Sequence, residues 1–511
     1  MVNFSNQWIS RTSGPHGAFS FYMMRTIVEE EENVDNDTRP TITGQERKER
    51  LKVQRHPVPK QKPSQRIKNF NEVSLGYTEE LARKEAFRCI QCAKPLCVEA
   101  CPVHNDIPGF IWRIEQGDFE GAYQFLMKTS NLPDFCGRLC PQEKQCEGSC
   151  VVGKMGDPVN IGRLESFVAD YQYRTKGFPM PEMGQSTGKK VAVIGSGPAG
   201  MVMAEVLAKR GHGVVIFERW PQPGGILTYG IPSFKLLKEI VTRKVEHLES
   251  LGVEFRCGIE VGSKVKIDDL FRQGFDAVFL GTGTGEGSTA KIPGMNAPEC
   301  YLATDFLVRG NLGEEYLEKG KSEKPYVGER VAVIGGGDTA MDVVRTAIRL
   351  GAKEVTCVYR RSEAEMPGRK EEYTHAQEEG VKFHFLAAPT EILLDSGGHV
   401  RGLRCIRMEL GEPDQSGRRK PVPVKGSEFD TPVSAVVFAI GYNPEPLIPK
   451  TTEGLKTDDW GLILVDQETG ETSRKGVYAA GDNVTGPKTV VHAMAGARKA
   501  AQALHDYLMK N

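Results

Sequence analysis

The sequence predicts an α/β protein: a helical, cysteine-rich N-terminal domain followed by two doubly wound nucleotide-binding domains, the second inserted in the first. Three observations predict it. Eight of the 12 cysteines lie between positions 89 and 150, in two groups that each contain a Cys-Pro pair. A strand, glycine loop and helix begin at Val191, and a second such unit begins at Val331. The C-terminal "GVYAAGDNVTG" is a strand stopping at Asp482, with a helix from about Val491 and no glycine loop of its own. It therefore completes the first nucleotide domain and makes the second an insertion.

Composition narrows the function. A chain of 511 residues is too long for one core, and about three domains are expected. Lysine plus arginine (66) nearly cancels aspartate plus glutamate (67), which argues against nucleic-acid or anionic-membrane partners. No apolar run approaches the roughly 18–20 residues that span a bilayer. The start has no basic segment leading into an apolar one, so secretion is not expected. Clustered cysteines then read as metal or cluster ligands in a reducing cytoplasm.

Residues 1–50 lack sustained periodicity and carry the acidic run Glu29 to Glu32, so they read as a disordered tail, or as a start placed before the true one at Met23 or Met24. Residues 51–185 read as the helical domain, opening on an extended lead-in rich in Pro, Lys and Gln. "TEELARKEAFRCIQC" is an amphipathic helix whose end delivers Cys89 and Cys92 to one point. Cys89, Cys92, Cys97 and Cys101 precede Pro102; Cys136, Cys140, Cys146 and Cys150 form the second group, with Pro141 after Cys140. Thiolates in short loops closed by Cys-Pro suit a cubane iron–sulfur cluster. Structural zinc, the alternative, usually shows two Cys-x-x-Cys knuckles, and only Cys89–Cys92 has that spacing. Cys257, Cys300, Cys357 and Cys405 stand apart and read as small hydrophobes. The polar stretch 174–189 is the linker candidate.

The first nucleotide domain is expected over 186–300 and 430–511, the second over 301–429. In the first, Gly195, Gly197, Pro198, Ala199 and Gly200 lie between strand and helix, where backbone amides and a helix N-terminus face a pyrophosphate. "VVIFERW" places Glu218 at the end of the next strand. A carboxylate there accepts from both hydroxyls of an unmodified ribose and repels a 2′-phosphate, so this unit holds FAD or NAD. Gly224, Gly225, Gly281, Thr282, Gly283, Gly481 and Asp482 fit a flavin site, the glycines by allowing close backbone approach. In the second unit Gly335, Gly336, Gly337, Asp338 and Thr339 form the loop, and Arg360 and Arg361 occupy the acidic position. Two guanidinium forks suit a ribose phosphate, so this unit binds NADP(H), with Gly441 also on that site.

"RCIQCAKPLCVEACPVHNDIPGF", "CGRLCPQEKQCEGSC", "VAVIGSGPAG", "YGIPSFKL", "VIGGGDTAMD", "YRRSEAEMPGR" and "GVYAAGDNVTG" together resemble the glutamate synthase small-chain family, in family order over roughly residues 50–508. Its relatives include the large subunit of NADH-dependent reduced ferredoxin:NADP oxidoreductase and the N-terminal half of dihydropyrimidine dehydrogenase. The resemblance implies a helical domain with two [4Fe-4S] clusters, a split FAD domain and an inserted NADP(H) domain. It implies that Cys89, Cys92, Cys97 and Cys150 hold one cluster. Cys101, Cys140 and Cys146 would hold the other, with Glu165 of "NIGRLE" as fourth ligand and Cys136 a spectator. The competing reading of Glu165 is a free surface glutamate.

The chemistry expected is hydride transfer between nicotinamide and flavin, then single-electron steps through the clusters. It needs no general acid or base, and no catalytic residue is nominated. Three cofactor domains use the whole length, so by resemblance the chain is the electron-input half of a hetero-oligomer. Its partner is a second redox subunit: a glutamate synthase large chain, which forms glutamate from 2-oxoglutarate and glutamine, or a ferredoxin-linked flavoprotein subunit in an electron-bifurcating enzyme. A flavin disulfide reductase would need a redox cysteine pair beside the flavin, and none occurs after residue 150. A non-enzymatic redox sensor would be expected to show degraded glycine loops, whereas both are intact.

Overall fold

The computed structural model describes residues 40–317, 323–414 and 417–510. The expected tail, as far as residue 39, lies outside them. Its last part is helical: Gly44–Arg50 is capped by Thr43, whose Oγ1 accepts from Glu46 N at 3.1 Å. This corrects the reading of residues 44–50 as tail. Arg50 is buried and donates to Phe87 O (2.8 Å), Cys89 O (3.0 Å) and Glu115 Oε2 (2.7 Å). An ionic anchor fixes the segment where hydrophobicity could not.

Short helices build the cysteine domain. Glu79–Ala86 ends before Cys89, so both thiols leave from the turn that follows it. Pro133–Leu139 crosses Ile161–Lys176 so closely that a Cβ on Gly137 would lie 2.5 Å from Ser166 N. Residues 177–189 have no regular structure before the first sheet.

That sheet opens with the parallel strands β1 (Lys190–Ile194), β2 (Gly213–Glu218), β3 (Glu254–Cys257) and β4 (Ala277–Leu280). The chain crosses out at β5 (Glu286–Gly287). The second sheet uses β6 (Cys300–Leu302), β7 (Arg330–Ile334), β8 (Glu354–Tyr359) and β9 (Lys382–Phe385). An antiparallel layer follows: β10 (Ala387–Leu394), β11 (Val400–Pro413), β12 (Arg419–Pro423) and β13 (Phe429–Thr431). Then β14 (Ala435–Phe438) enters the second sheet, giving the order β6-β14-β7-β8-β9. The chain crosses back at β15 (Tyr442–Asn443), paired with β5, and β16 (Val477–Ala479) completes the first sheet as β16-β4-β1-β2-β3.

The return therefore falls at 442–443, later than the expected 430. The fully buried β14 is claimed by its register against β6 and β7. In both sheets the glycine-loop strand has neighbours on either side reached by opposite crossovers, which opens a crevice at its C-terminal end. After β16, Asp482–Thr485 adds a short turn of helix before Val490–Lys510.

Candidate functional site

Both crevices open on one cavity of about 980 Å³. On the first side, each glycine of the loop has its own reason. Gly195 turns the chain at φ +95°, and a Cβ on Gly200 would sit 1.9 Å from Gly195 O, so the helix Pro198–Lys209 packs directly on the strand. A Cβ on Gly197 would meet nothing within 4 Å. The protein leaves that space open, which suits a cofactor's pyrophosphate laid against the backbone. Pro198 and Ala199 start the helix on the cavity wall.

Glu218 is buried at the end of β2. Its Oε2 accepts from Ser196 N (3.0 Å) and Ser196 Oγ (2.5 Å), and Oε1 accepts from Trp220 N (2.9 Å). Gly224 N donates in turn to Ser196 Oγ at 2.8 Å, so the glutamate braces the glycine loop as well as lining the cavity. Gly225, Gly281, Thr282, Gly283, Gly481 and Asp482 line the same space. Burial raises the Asp482 pKa to about 6, and its Oδ1 accepts from Lys488 N at 3.1 Å.

On the second side Gly335 turns at φ +146° and a Cβ on Gly337 would touch only Pro367, at 3.9 Å, so this loop too presents bare backbone. Gly336, Asp338, Thr339, Arg360 and Gly441 line the wall. Arg361 lines it also, but its guanidinium is engaged: Nη2 donates to Asp414 Oδ2 (2.6 Å) and Nε to Arg419 O (2.8 Å). The paired fork expected of Arg360 and Arg361 is thus split: both line the cavity just past β8, but the Arg361 guanidinium is held by Asp414 and Arg419. Among the lining residues that escaped the sequence reading, Arg418 arrives on the β11–β12 turn, Leu139 from the cysteine domain, and Lys235 within 2.9 Å of Asp342 Oδ1. Leu139 and Lys235 had a local signal, the "CGRLCPQEKQCEGSC" and "YGIPSFKL" segments.

The fold sorts the cysteines into two sets. Cys89, Cys92, Cys97 and Cys150 surround a small cavity walled by Leu96, Ile107 and Val151. Burial and the neighbouring thiols raise the pKa values of Cys89, Cys92 and Cys97: Cys97 is pushed up to about 12, by burial first and then by Cys150 and Cys92. Cys101, Cys140, Cys146 and Glu165 form the second set: Cys140 acts electrostatically on the other three, and Glu165 on Cys101 and Cys146. Burial first pushes the Cys101 thiol up to about 11. Cys136 hydrogen-bonds Cys140 beside this set.

Glu165 is 7% exposed, and its Oε1 has no hydrogen-bond partner. A surface glutamate would be solvated; a buried carboxylate with an orphan oxygen among thiols fits the donor set of a metal cluster. Among the described residues no three such side chains converge as a single ion requires. Thiols spaced around a cavity fit a multi-iron cluster, whose positive charge would keep them deprotonated.

A cavity lined by two dinucleotide-type glycine loops, with sets of thiols beyond it, suits electron transfer: the chain is an NADPH-dependent flavin and iron–sulfur oxidoreductase. The family described as dihydropyrimidine dehydrogenase domain II, 4Fe-4S cluster, matches residues 66–177, and the pyridine nucleotide-disulphide oxidoreductase family matches 189–497. The glutamate synthase [NADPH] small chain of Escherichia coli is 40% identical over 465 residues, spanning 90% of this chain and 98% of that one. The NADP(+)-dependent formate dehydrogenase subunit beta of Moorella thermoacetica is 39% identical over 437 residues, 81% of this chain and 60% of that one. In fold, FprA of Mycobacterium tuberculosis in complex with NADPH superposes with a TM-score of 0.53 at 22% identity, over 63% of this chain and 85% of that chain. The chain belongs to the glutamate synthase small-chain family.

Among the described residues no helix is long and apolar enough to cross a membrane.

Proposed function

We propose that the chain is the NADPH-side subunit of a two-component enzyme whose partner is a glutamate synthase large chain, making glutamate from 2-oxoglutarate and glutamine. FAD would lie on the Gly195–Gly200 loop, NADP(H) on the Gly335–Thr339 loop. Cys101, Cys140, Cys146 and Glu165 would hold the inner [4Fe-4S] cluster, and Cys89, Cys92, Cys97 and Cys150 the outer one. When bound, FAD would supply a hydride acceptor for NADPH and the clusters a route for single electrons.

The observation that carries this reading is a gradient of burial. Leu139 lines the main cavity, and the next residue, Cys140, is packed in the core of the first nucleotide domain. The outer set lies nearer the surface: Leu96, on its cavity wall, is 44% exposed, and Met155, five residues beyond Cys150, is 74% exposed. In this reading the glycine loops would bind phosphate, Glu218 would meet the FAD ribose, and the apolar Leu139 would help keep water from the wall between cavity and thiols. No side chain is assigned a proton at the hydride step. All of the cysteines are free, as a reducing cytoplasm would keep them.

The test is reconstitution with a glutamate synthase large chain, following glutamate formed per NADPH oxidised. Near-stoichiometric glutamate supports the pairing. Brisk NADPH oxidation with a dye but no glutamate with the large chain would assign the electrons to another partner.

A further inference from the structure

Arg361 does not spend its fork on the cavity. Its acceptors Asp414 Oδ2 and Arg419 O belong to the hairpin that joins β11 to β12. That turn is closed by Asp414 N donating to Arg418 O (2.7 Å) and Gly417 N to Asp414 O (2.9 Å). The two points that Arg361 grips therefore flank Arg418, whose side chain lines the main cavity together with Arg360. The stretch of wall from Val358 to Arg418 contributes no carboxylate: it consists of Tyr359, Pro367, the apolar Ala387–Pro389 and arginines. Of these arginines, Arg369 is committed elsewhere, donating to Arg138 O (2.9 Å) and Gln142 Oε1 (3.0 Å). This wall begins at the end of β8, where an adenosine ribose lies in a doubly wound domain.

Resting on the NADP(H) reading of this domain, we propose that Arg418 and Arg360 together read the ribose 2′-phosphate, and that Arg361 is the positioning residue that holds the hairpin over the site. Arg360, just past the end of β8, and Arg418, just before β12, would approach one phosphate from separate elements.

The experiment titrates the holoenzyme calorimetrically with 2′,5′-ADP and with 5′-AMP, and takes the ratio of dissociation constants as the phosphate preference. Flavin absorbance checks the integrity of each variant. Arg418→Ala should lower the preference roughly ten- to a hundredfold, as expected for loss of a charge-assisted contact. Arg418→Gln should do the same if the alanine variant folds poorly, and Arg418→Lys should retain part of the preference. Asp414→Asn, which loosens the clamp, should lower the preference in the parent but not further in Arg418→Ala. Three results overturn the proposal. Arg418→Ala within twofold of the parent while Arg360→Ala collapses the preference would remove Arg418 but leave the NADP(H) reading standing. An equal effect of Asp414→Asn with and without Arg418 would make Arg361 the direct reader. No change with either Arg360→Ala or Arg418→Ala would remove the NADP(H) reading as well.

Discussion

Replacing Glu379 by glutamine should unfasten three parts of the molecule at once. The carboxylate is fully buried on the second nucleotide domain. Oε1 accepts from Arg66 Nε (2.7 Å) and Arg345 Nη2 (2.9 Å), and Oε2 from Arg349 Nη1 (2.7 Å). Arg66 comes from the lead-in to the cysteine domain, and Phe234, from the first nucleotide domain, lies under the guanidiniums of Arg345 (4.5 Å) and Arg349 (4.1 Å). Burial alone would raise the Glu379 pKa, but hydrogen bonds from Arg349 and the charge of Arg345 outweigh it and bring it from 4.5 down to about 2. That gap is worth about 3 kcal/mol, and breaking a buried pair from one side costs about 3–5 kcal/mol. A depressed carboxylate stabilises the fold fully above pH 4.5 and loses that contribution as the pH falls toward 2. Glu379→Gln should therefore lose about 3–5 kcal/mol at pH 7, with the gap to the parent narrowing below pH 4.5. Hydrogen exchange of the helix Lys370–Glu378 reads the loss locally, which suits a multidomain chain whose global unfolding is not two-state. A loss below about 1 kcal/mol, or unchanged exchange in that helix, would refute the reasoning.

The anaerobically purified protein should carry about eight iron and eight acid-labile sulfide per FAD, as two cubanes require; zinc in their place would remove the cluster assignment. Cys92→Ser should degrade one EPR signal and leave NADPH-to-dye turnover largely intact, because Cys92 belongs to the outer set and does not line the main cavity. Equal loss of dye turnover would place the outer set on the path to the flavin. Glu165→Ala should change the potential or iron retention of one cluster only, leaving the Cys89 cluster and the flavin nearly as in the parent. Unchanged spectra would make Cys136, beside Cys140, the next ligand to test.

What the sequence made legible was local. The first glycine loop announces itself because a turn, an open backbone and a close helix–strand contact each exclude a side chain, and Gly195, Gly197 and Gly200 meet all three needs. What stayed hidden depends on partners far along the chain. Arg50 and Arg66 looked like parts of a tail and an extended lead-in because their acceptors are distant: Glu115, 65 residues from Arg50, and Glu379, 313 residues from Arg66. Arg361 sat at the right strand end, but the hairpin that claims it is 53 residues further on. Whether Glu165 was exposed or buried was not legible either, because its burial depends on the close Gly137–Ser166 crossing of two helices.

The same long-range contacts bind the nucleotide domain to the cysteine domain. Glu371, near the start of the helix Lys370–Glu378, pairs with Lys60 (2.9 Å) and Arg163 (2.8 Å), both from the cysteine domain. Arg369, on the cavity wall, donates to Gln142 Oε1, and Gln142 Nε2 donates to Cys136 O (3.1 Å) and Gly137 O (3.2 Å). One glutamine thus separates the nucleotide cavity from the backbone that presents Cys140. Because Arg369 and Gln142 are both buried, their bonds compete little with water, and a displacement of either is costly. The wall that receives the nucleotide and the loop that presents the inner thiols are therefore one hydrogen-bonded piece. The helix Lys370–Glu378, clamped on one side by Lys60 and Arg163 and on the other by the Glu379 arginines, holds that piece in place.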